Sequence, residues 1–466
     1  MTSAQQTPGN AIRIRRGLSA NLVAIGTRVA VQLATLPILF ANWDAEAVGI
    51  WLILFAIPSY VALVGNGIAG AGGTAALASA ASGDMDRARS DFAAAWGISA
   101  GSTAALALVF AGSAMFLVPS VVERGGDLDM WDVAQATAWL ALYVFATSQM
   151  GIFDIPYRAV GRYPDHLLLY NAASLLEIVV LAAAVTFFES FAVLAMALAL
   201  FRCLAAVWIW ASARKAAPAM FDRTARNGSA KASLRALWLP SLAFMIMQLT
   251  YGLNLQGYLL LVGAAFGPVV VAGFAATRVL TRVLDWVCHL VYAMQYYESG
   301  YLGDEKREVQ RRLLATMTLV SLAIAAVFAA GLLLLGPWMQ ALYTVGETRF
   351  DTPVAIVLLL TVSMRALSMT PMAFVASENA HSPIAVTHLA GSAVALALAV
   401  LLAMLGASLP VVLLPLLLAE AAQLIPAMRR ALAMLDLTIR DFARSLIASE
   451  RWDDIVIMWR TALRKG

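Results

Sequence analysis

The chain has 466 residues, of which 61% are apolar and 13% charged, and its mean hydropathy is +0.79. A soluble globular chain carries nearly twice that share of charge, so the bulk solvent here is lipid. A net charge of +4 is small for this length and gives no reason to expect nucleic acid as a partner.

A polar, arginine-rich start, residues 1–16 with Arg13, Arg15 and Arg16, leads straight into the first apolar run, with no cleavable signal pattern. Twelve apolar runs follow, near 17–41, 47–77, 91–118, 132–154, 166–188, 190–212, 234–262, 268–296, 312–336, 353–376, 384–405 and 409–428. Each is long enough to cross the hydrocarbon core as a helix, and the longer ones imply tilt or projecting ends. Membrane strands would alternate in polarity over short segments, and these runs do not. The fold class expected is therefore all-α and polytopic, with about 12 transmembrane helices.

The connections alternate in charge. One side holds the start, Arg87, Arg89, Arg158, Arg162, the segment Arg214 to Lys231, Lys306 to Arg312 and the tail. The other side holds only Arg124 and Arg349, and the loop 377–383 carries no Lys or Arg on the basic side. The positive-inside rule then places both termini in the cytoplasm.

The longest internal polar segment, 213–233, separates six runs from six. It predicts an N-lobe at 17–212 and a C-lobe at 234–428, as in transporters built from structural repeats. Residues 429–466 mix apolar residues at helical spacing with charge and include Trp452 and Trp459. They read as one or two amphipathic helices on the inner leaflet. The alternative is a solvated helix packed on the cytoplasmic ends of the spans.

Several ionisable residues fall deep inside the runs: Arg28, Glu177, Arg202, Arg278, Arg282, Asp285 and Arg365. Their depths are roughly 15–25 Å, within the hydrocarbon. An arginine facing lipid there costs about 2.5–3.5 kcal/mol, so these side chains must face the bundle interior or water. Arg278, Arg282, Asp285 and His289 follow one another at spacings of four, three and four, which puts them on one helical stripe about 60° wide. Internal pairing is one reading of these charges: Arg282 with Asp285, Asp285 with His289, Glu177 with Arg202. The other is a cationic cavity wall, since five arginines outnumber two acids, and guanidinium forks suit phosphate oxygens. His289, nearer the interface, reads as a locally satisfied histidine. Glu177 and Asp285 are candidates for ion coupling. Gln248, Tyr251, Asn254 and Gln256 are candidates for sugar hydroxyls, although interhelical hydrogen bonding would use the same groups.

The glycine-rich stretch at 65–73 lacks the Lys-Ser/Thr ending and the preceding strand of a phosphate loop, so it predicts close helix contact or flexing instead. Cys203 and Cys288 lie in separate runs without metal or redox spacing and read as reduced packing residues. No Walker motif, HExxH or Cys/His metal set is present, so no metal or other cofactor is expected beyond a coupling H+ or Na+.

The runs "NLVAIGTRVAVQLATLPILF" and "AVGIWLILFAIPSYVALVGNGIAGAGG", the loop "SGDMDRARSDF" and the later "IPYRAVGRYPDH" carry a resemblance. The chain resembles the polysaccharide-exporter branch of the multidrug/oligosaccharidyl-lipid/polysaccharide (MOP) flippase superfamily. That resemblance implies a two-lobed MATE-like fold around a central cavity, in a multi-pass protein of the bacterial inner membrane. It also implies a function, the flipping of polyprenyl-pyrophosphate-linked oligosaccharide, including O-antigen repeat units. "FAATRVL" (274–280) is similar to the eighth helix of the lipid II flippases, where an arginine faces the cavity, and this carries over to Arg278 alone. Arg28 matches only by its place in the first helix.

The resulting expectation is a secondary-type, alternating-access flippase, not an enzyme, whose expected partners are a lipid-linked oligosaccharide, membrane lipid, and a polysaccharide polymerase with its chain-length machinery. The protein is expected to be a monomer. Arg28, Arg202, Arg278, Arg282 and Arg365 are the expected pyrophosphate contacts. Three rivals stand beside it. A MATE-type multidrug antiporter would place acids in the cavity for cationic drugs. A membrane polymerase, ligase or glycosyltransferase would need a larger outer loop than 337–352 or 119–131. A scaffold would have no reason to hold charge at membrane depth.

Overall fold

The computed structural model describes residues 8–122, 129–222, 246, 249–302, 307–378, 380–448 and 450–451. Among these residues there are helices, turns and no strand. The helices are α1 (Pro8–Phe40), α2 (Ala45–Ala81), α3 (Met85–Val122), α4 (Met130–Ile152), the six-residue α5 (Asp154–Ala159), α6 (Tyr163–Phe187) and α7 (Phe191–Ala216). After a 3-10 turn at Pro218–Phe221, a π-helical turn (Leu253–Gly257) opens into α8 (Tyr258–Phe266). Then come α9 (Pro268–Thr281), α10 (Val283–Leu302), α11 (Arg307–Tyr343), α12 (Thr352–Ser377) and α13 (Ser382–Met404). The short α14 (Leu409–Leu413), α15 (Pro415–Met434) and α16 (Ile439–Leu446) complete the series.

Each of the twelve predicted spans has helical residues in this series. Ten helical segments of the described residues are long and apolar enough to cross a membrane; Ala45–Tyr60 of α2 is counted as a shorter apolar helix. The eighth predicted span is split at Arg282 into α9 and α10. Large apolar side chains lie exposed along the helices, including Leu334 and Met404 at 80% and Leu204 at 71%. Water would not tolerate such a surface over the length of a bundle, whereas lipid does. The protein is a multi-pass α-helical membrane protein.

The chain divides into two compact units, Met1–Ala272 and Gly273–Gly466. The sequence places the lobe boundary at 213–233, of which 223–233 lies outside the described residues. The break falls later because the π turn and α8 rest on α2 within the first unit. Gly49 of α2 lies against the backbone of Pro268, where a Cβ would find no room.

In the first unit α2 packs on α3 and α4, α4 on α7, and α1 on α6. The contacts are rich in alanine: Ala76, Ala88, Ala94, Ala95, Ala205 and Ala213 are all buried in one cluster. Small residues let membrane helices approach closely enough for dispersion to hold them. The glycine stretch serves this purpose, since a Cβ on Gly72 would overlap that of Ala95. In the second unit α12 lies against α10, α11 and α15, and α13 lies on α15.

Several helix starts are capped by acids or serine. The Asp44 side chain accepts from Ala47 N at 2.8 Å, Asp129 from Trp131 N at 2.9 Å, and Asp351 from Val354 N at 3.1 Å. Ser190 caps α7, and Asp132 accepts from Phe191 N at 2.8 Å and Ala192 N at 3.2 Å. These carboxylates satisfy amides that open a helix and meet the positive end of its dipole.

The tail departs from the expected helix lying on the leaflet. The side chain of Phe442 in α16 is buried with Leu314 of α11 and Ala431 and Leu435 at the end of α15. Arg311 donates to the Leu435 carbonyl at 2.8 Å, and Arg451 donates to the Arg312 carbonyl at 3.2 Å. Ile439 and Ile447 remain exposed. The packed alternative therefore describes residues up to 451, because Phe442 and Arg451 find partners on α11. Trp452 and Trp459 lie outside the described residues.

Candidate functional site

In the first unit, Arg202 of α7 is 6% exposed and forms an ion pair with Glu177 of α6 through Nε and Oε2. Tyr143 of α4 donates to the other carboxylate oxygen at 2.8 Å. The guanidinium lies over the Tyr143 and Tyr170 rings, 5.5 and 5.9 Å from their centroids, and one nitrogen contacts Met150 Sδ at 3.6 Å. A buried charge persists only when paired and hydrogen-bonded, and this cluster supplies both. Arg202, expected at the phosphate, is thus occupied, and Glu177, expected in ion coupling, is held by an arginine that does not deprotonate.

Arg28 of α1 stands differently. α1 turns Ala20, Ala24 and Thr27 inward, with the two alanines packed against Leu167 of α6, while Arg28 is exposed. Among the predicted sugar contacts, Asn254 is buried in the π turn, Gln256 is half-buried beside it, and Tyr251 is at the edge of exposure. Gln248 lies outside the described residues. The π turn adds one residue to the helical repeat and so re-aims the side chains on either side of it.

In the second unit, Arg365 of α12 is 8% exposed and forms an ion pair with Glu420 of α15, which is fully buried. Its Nη1 also reaches Asp285 Oδ2 of α10 at 3.2 Å. Arg282 approaches the same Asp285 oxygen at 3.7 Å. Two arginines and two carboxylates therefore balance in one network, and Arg365 is engaged by acids instead of being left for phosphate. Asp285, expected in ion coupling, is shared between two guanidiniums.

The predicted stripe is interrupted, because α9 ends at Thr281 and α10 begins at Val283, leaving Arg282 at the joint. His289 does not pair with the Asp285 carboxylate; its Nδ1 lies 2.6 Å from the Asp285 main-chain carbonyl, one turn back. Arg278, in the last turn of α9, is half-buried with its guanidinium 5.0 Å from the Phe274 ring centroid. Its neighbour Thr277 donates to Gln340 Oε1 at 2.7 Å, and Gln340 Nε2 donates to Thr348 Oγ1 and the Arg349 carbonyl at 3.0 Å each. This buried amide is satisfied at both ends and fixes α9 to α11.

Glu420 was missed in the sequence, although a lone acid twelve positions into the last apolar run is the same kind of signal as Glu177. Two further histidines stand inside the helices: His166 of α6 is buried, and His388 of α13 is half-buried, with its Nε2 atom buried and without a hydrogen-bond partner among the described residues. Cys203 and Cys288 are free thiols. Among the described residues, no group of three or more His, Cys, Asp or Glu is placed to hold a metal ion.

The fold described here is that of the MATE transporters. An inward-facing multidrug resistance MATE family transporter of the MOP superfamily matches with a TM-score of 0.70 at 12% identity, over 88% of this chain and 96% of that one. The eukaryotic MATE transporter AtDTX14 matches with a TM-score of 0.60 at 13% identity, over 93% and 99%. A MOP superfamily transporter from Pyrococcus furiosus, described as having a binding pocket of reverse polarity, matches at 0.54 and 15%, over 91% and 96%. No family model and no curated protein sequence matches the chain. These neighbours are transporters and not enzymes.

Proposed function

We propose that this protein is a secondary-type, alternating-access transporter that flips a polyprenyl-pyrophosphate-linked oligosaccharide across a bacterial inner membrane. The observation that carries the substrate class is the sign of the deep charges. Glu177, Asp285 and Glu420 are each held by an arginine, whereas Arg28 is exposed. Along the sequence five deep arginines outnumber three deep acids, a positive balance that favours an anionic head group over an organic cation. Arg278 and Arg28 are the residues assigned to phosphate, with Arg282 secondary to them because Asp285 draws on its charge. Asn254, Gln256 and Tyr251 remain the sugar-facing candidates. Both termini lie in the cytoplasm in this reading, following the loop charges.

Replacing Arg278 tests it. Arg278→Ala is expected to be produced and inserted at wild-type levels while export of the glycan falls at least tenfold, with partial recovery in Arg278→Lys. Full complementation of a deletion strain by Arg278→Ala overturns the assignment.

The second reading is a multidrug antiporter, favoured by the likeness of the fold to multidrug resistance MATE transporters. A drug-susceptibility panel in an exporter-deficient host separates the two. Protection against cationic drugs, lost in Glu420→Gln, would select the antiporter.

A further inference from the structure

We propose that Asp154 and His166 form a proton-binding site, one proton being held between His166 Nδ1 and Asp154 Oδ1, and that this site is where proton movement couples to transport. The coupling half rests on the transporter reading above. The site itself rests on hydrogen-bond chemistry.

His166 is 4% exposed. Its Nε2 lies 3.1 Å from the Met150 main-chain carbonyl. A carbonyl oxygen only accepts, so Nε2 carries a hydrogen and donates it. In neutral imidazole that leaves Nδ1 as a bare acceptor. Nδ1 nevertheless faces Asp154 Oδ1 at 3.5 Å, and neither atom has another hydrogen-bond partner among the described residues. Without a further proton, two lone pairs oppose each other in a buried place, which is the costly arrangement for polar groups removed from water. One proton on either atom converts the opposition into an attraction. The other oxygen of Asp154 accepts from Arg158 Nε.

The surroundings leave these two groups to each other. Tyr157 and Tyr170 flank the His166 ring at 5.6 and 6.1 Å between centroids, and Arg158 lies 5.0 Å over the Tyr163 ring. Arg28 of α1 acts on Tyr163, and Arg162 and Asp165 act on Tyr157. The α2, α3 and α7 faces around α5 contribute Ile68, Ala95, Ala206 and Ile209.

The dyad also sits where a proton would move something. α5 is one short helix between a joint at Phe153 and a turn at Val160–Gly161, where Gly161 has φ 71°. Asp154 opens α5, and His166 lies in the first turn of α6. Loss of the proton makes the two repel across the turn that joins α5 to α6.

The test is nitrogen NMR on the full chain, labelled at histidine and held in detergent, between pH 5 and 9. The protein has four histidines, and substituting His289, His381 and His388 in turn assigns His166 by elimination even if His166→Gln fails to fold. The His166 Nδ1 signal is expected to shift to the protonated or strongly hydrogen-bonded range as pH falls. In Asp154→Asn, which keeps an acceptor for Arg158 and offers Nδ1 an amide hydrogen, that titration is expected to vanish. A wild-type Nδ1 that stays a bare acceptor throughout, or an unchanged titration in Asp154→Asn, overturns the site. Export in cells at pH 6 and pH 8 reads the coupling. Asp154→Asn should lose the wild-type pH dependence, and retention of it overturns the coupling role. The NMR experiment needs no substrate, so its failure leaves the transporter reading standing, and failure of the Arg278 test leaves the titration standing.

Discussion

Glu177 and Arg202 hold each other across α6 and α7, and Tyr143 of α4 closes the pair by donating to the second carboxylate oxygen at 2.8 Å. Three spans are thus fastened by one buried charge pair. Removing one partner leaves the other charged and unpaired, at a cost of about 3–5 kcal/mol. Glu177→Gln is therefore expected to lower the midpoint of thermal unfolding in detergent, followed by tryptophan fluorescence. The double substitution Glu177→Met with Arg202→Met should recover most of the loss, since well-packed apolar residues replace a buried pair at little cost.

The second network predicts an unequal response. Arg365 holds both Glu420 and Asp285, but fully buried Glu420 accepts from two nitrogens of the guanidinium, Nε and Nη2, while Asp285 accepts from the third, Nη1, at 3.2 Å. Glu420→Gln should destabilise more than Asp285→Asn, by about 1–2 kcal/mol, because it removes the charge-assisted bond with no water to replace it. Melting of the two variants side by side checks the order.

Much of this was legible in the sequence, and the parts that were not share a cause. Apolar run length and loop charge gave the spans, and the glycine stretch at 65–73 is a packing surface as its lack of a Lys-Ser/Thr ending suggested. The depths of Arg202 and Arg365 were also legible, but not their partners. Glu177 lies 25 positions from Arg202, and Glu420 lies 55 from Arg365, so neither pair has a helical spacing to announce it. Asp285 and His289 show the converse. Their i,i+4 spacing suggested a side-chain pair, yet the carboxylate turns to two arginines and the imidazole is left with a main-chain carbonyl. His166 carried no signal in the sequence beyond its place after the Tyr-Pro-Asp that opens α6.

Glycine supplies a paired prediction. A side chain at Gly72 must displace α2 from α3, so Gly72→Val should cost about 1–3 kcal/mol and lower the yield of folded protein. Gly101 has open space around its missing Cβ, and Gly101→Ala should be neutral or stabilising by about 0.5–1 kcal/mol. Size-exclusion profiles and melting midpoints measure both.

Phe442 predicts the behaviour of the tail. Its ring is the apolar anchor of α16 on α11 and α15. Phe442→Ala should release that contact, at about 3–5 kcal/mol of local stability, and speed proteolytic cleavage near residue 447 while the spans stay intact. Unchanged cleavage kinetics would show that the Arg451 contacts to α11 suffice.

The spacing of the two arginine pairs has a consequence for how the chain enters the membrane. α6 and α7 are consecutive, so Glu177 is already inserted when Arg202 emerges from the ribosome, and the two can partition as one hairpin. Arg365 emerges before Glu420, with all of α13 still to be made. Asp285 of α10 has by then been synthesised, and it contacts Arg365 in the folded protein. Asp285 can thus act as a provisional counter-charge during biogenesis, holding Arg365 at depth until α15 arrives. On that account Asp285→Asn would lower insertion efficiency during translation more than it lowers the stability of the finished protein.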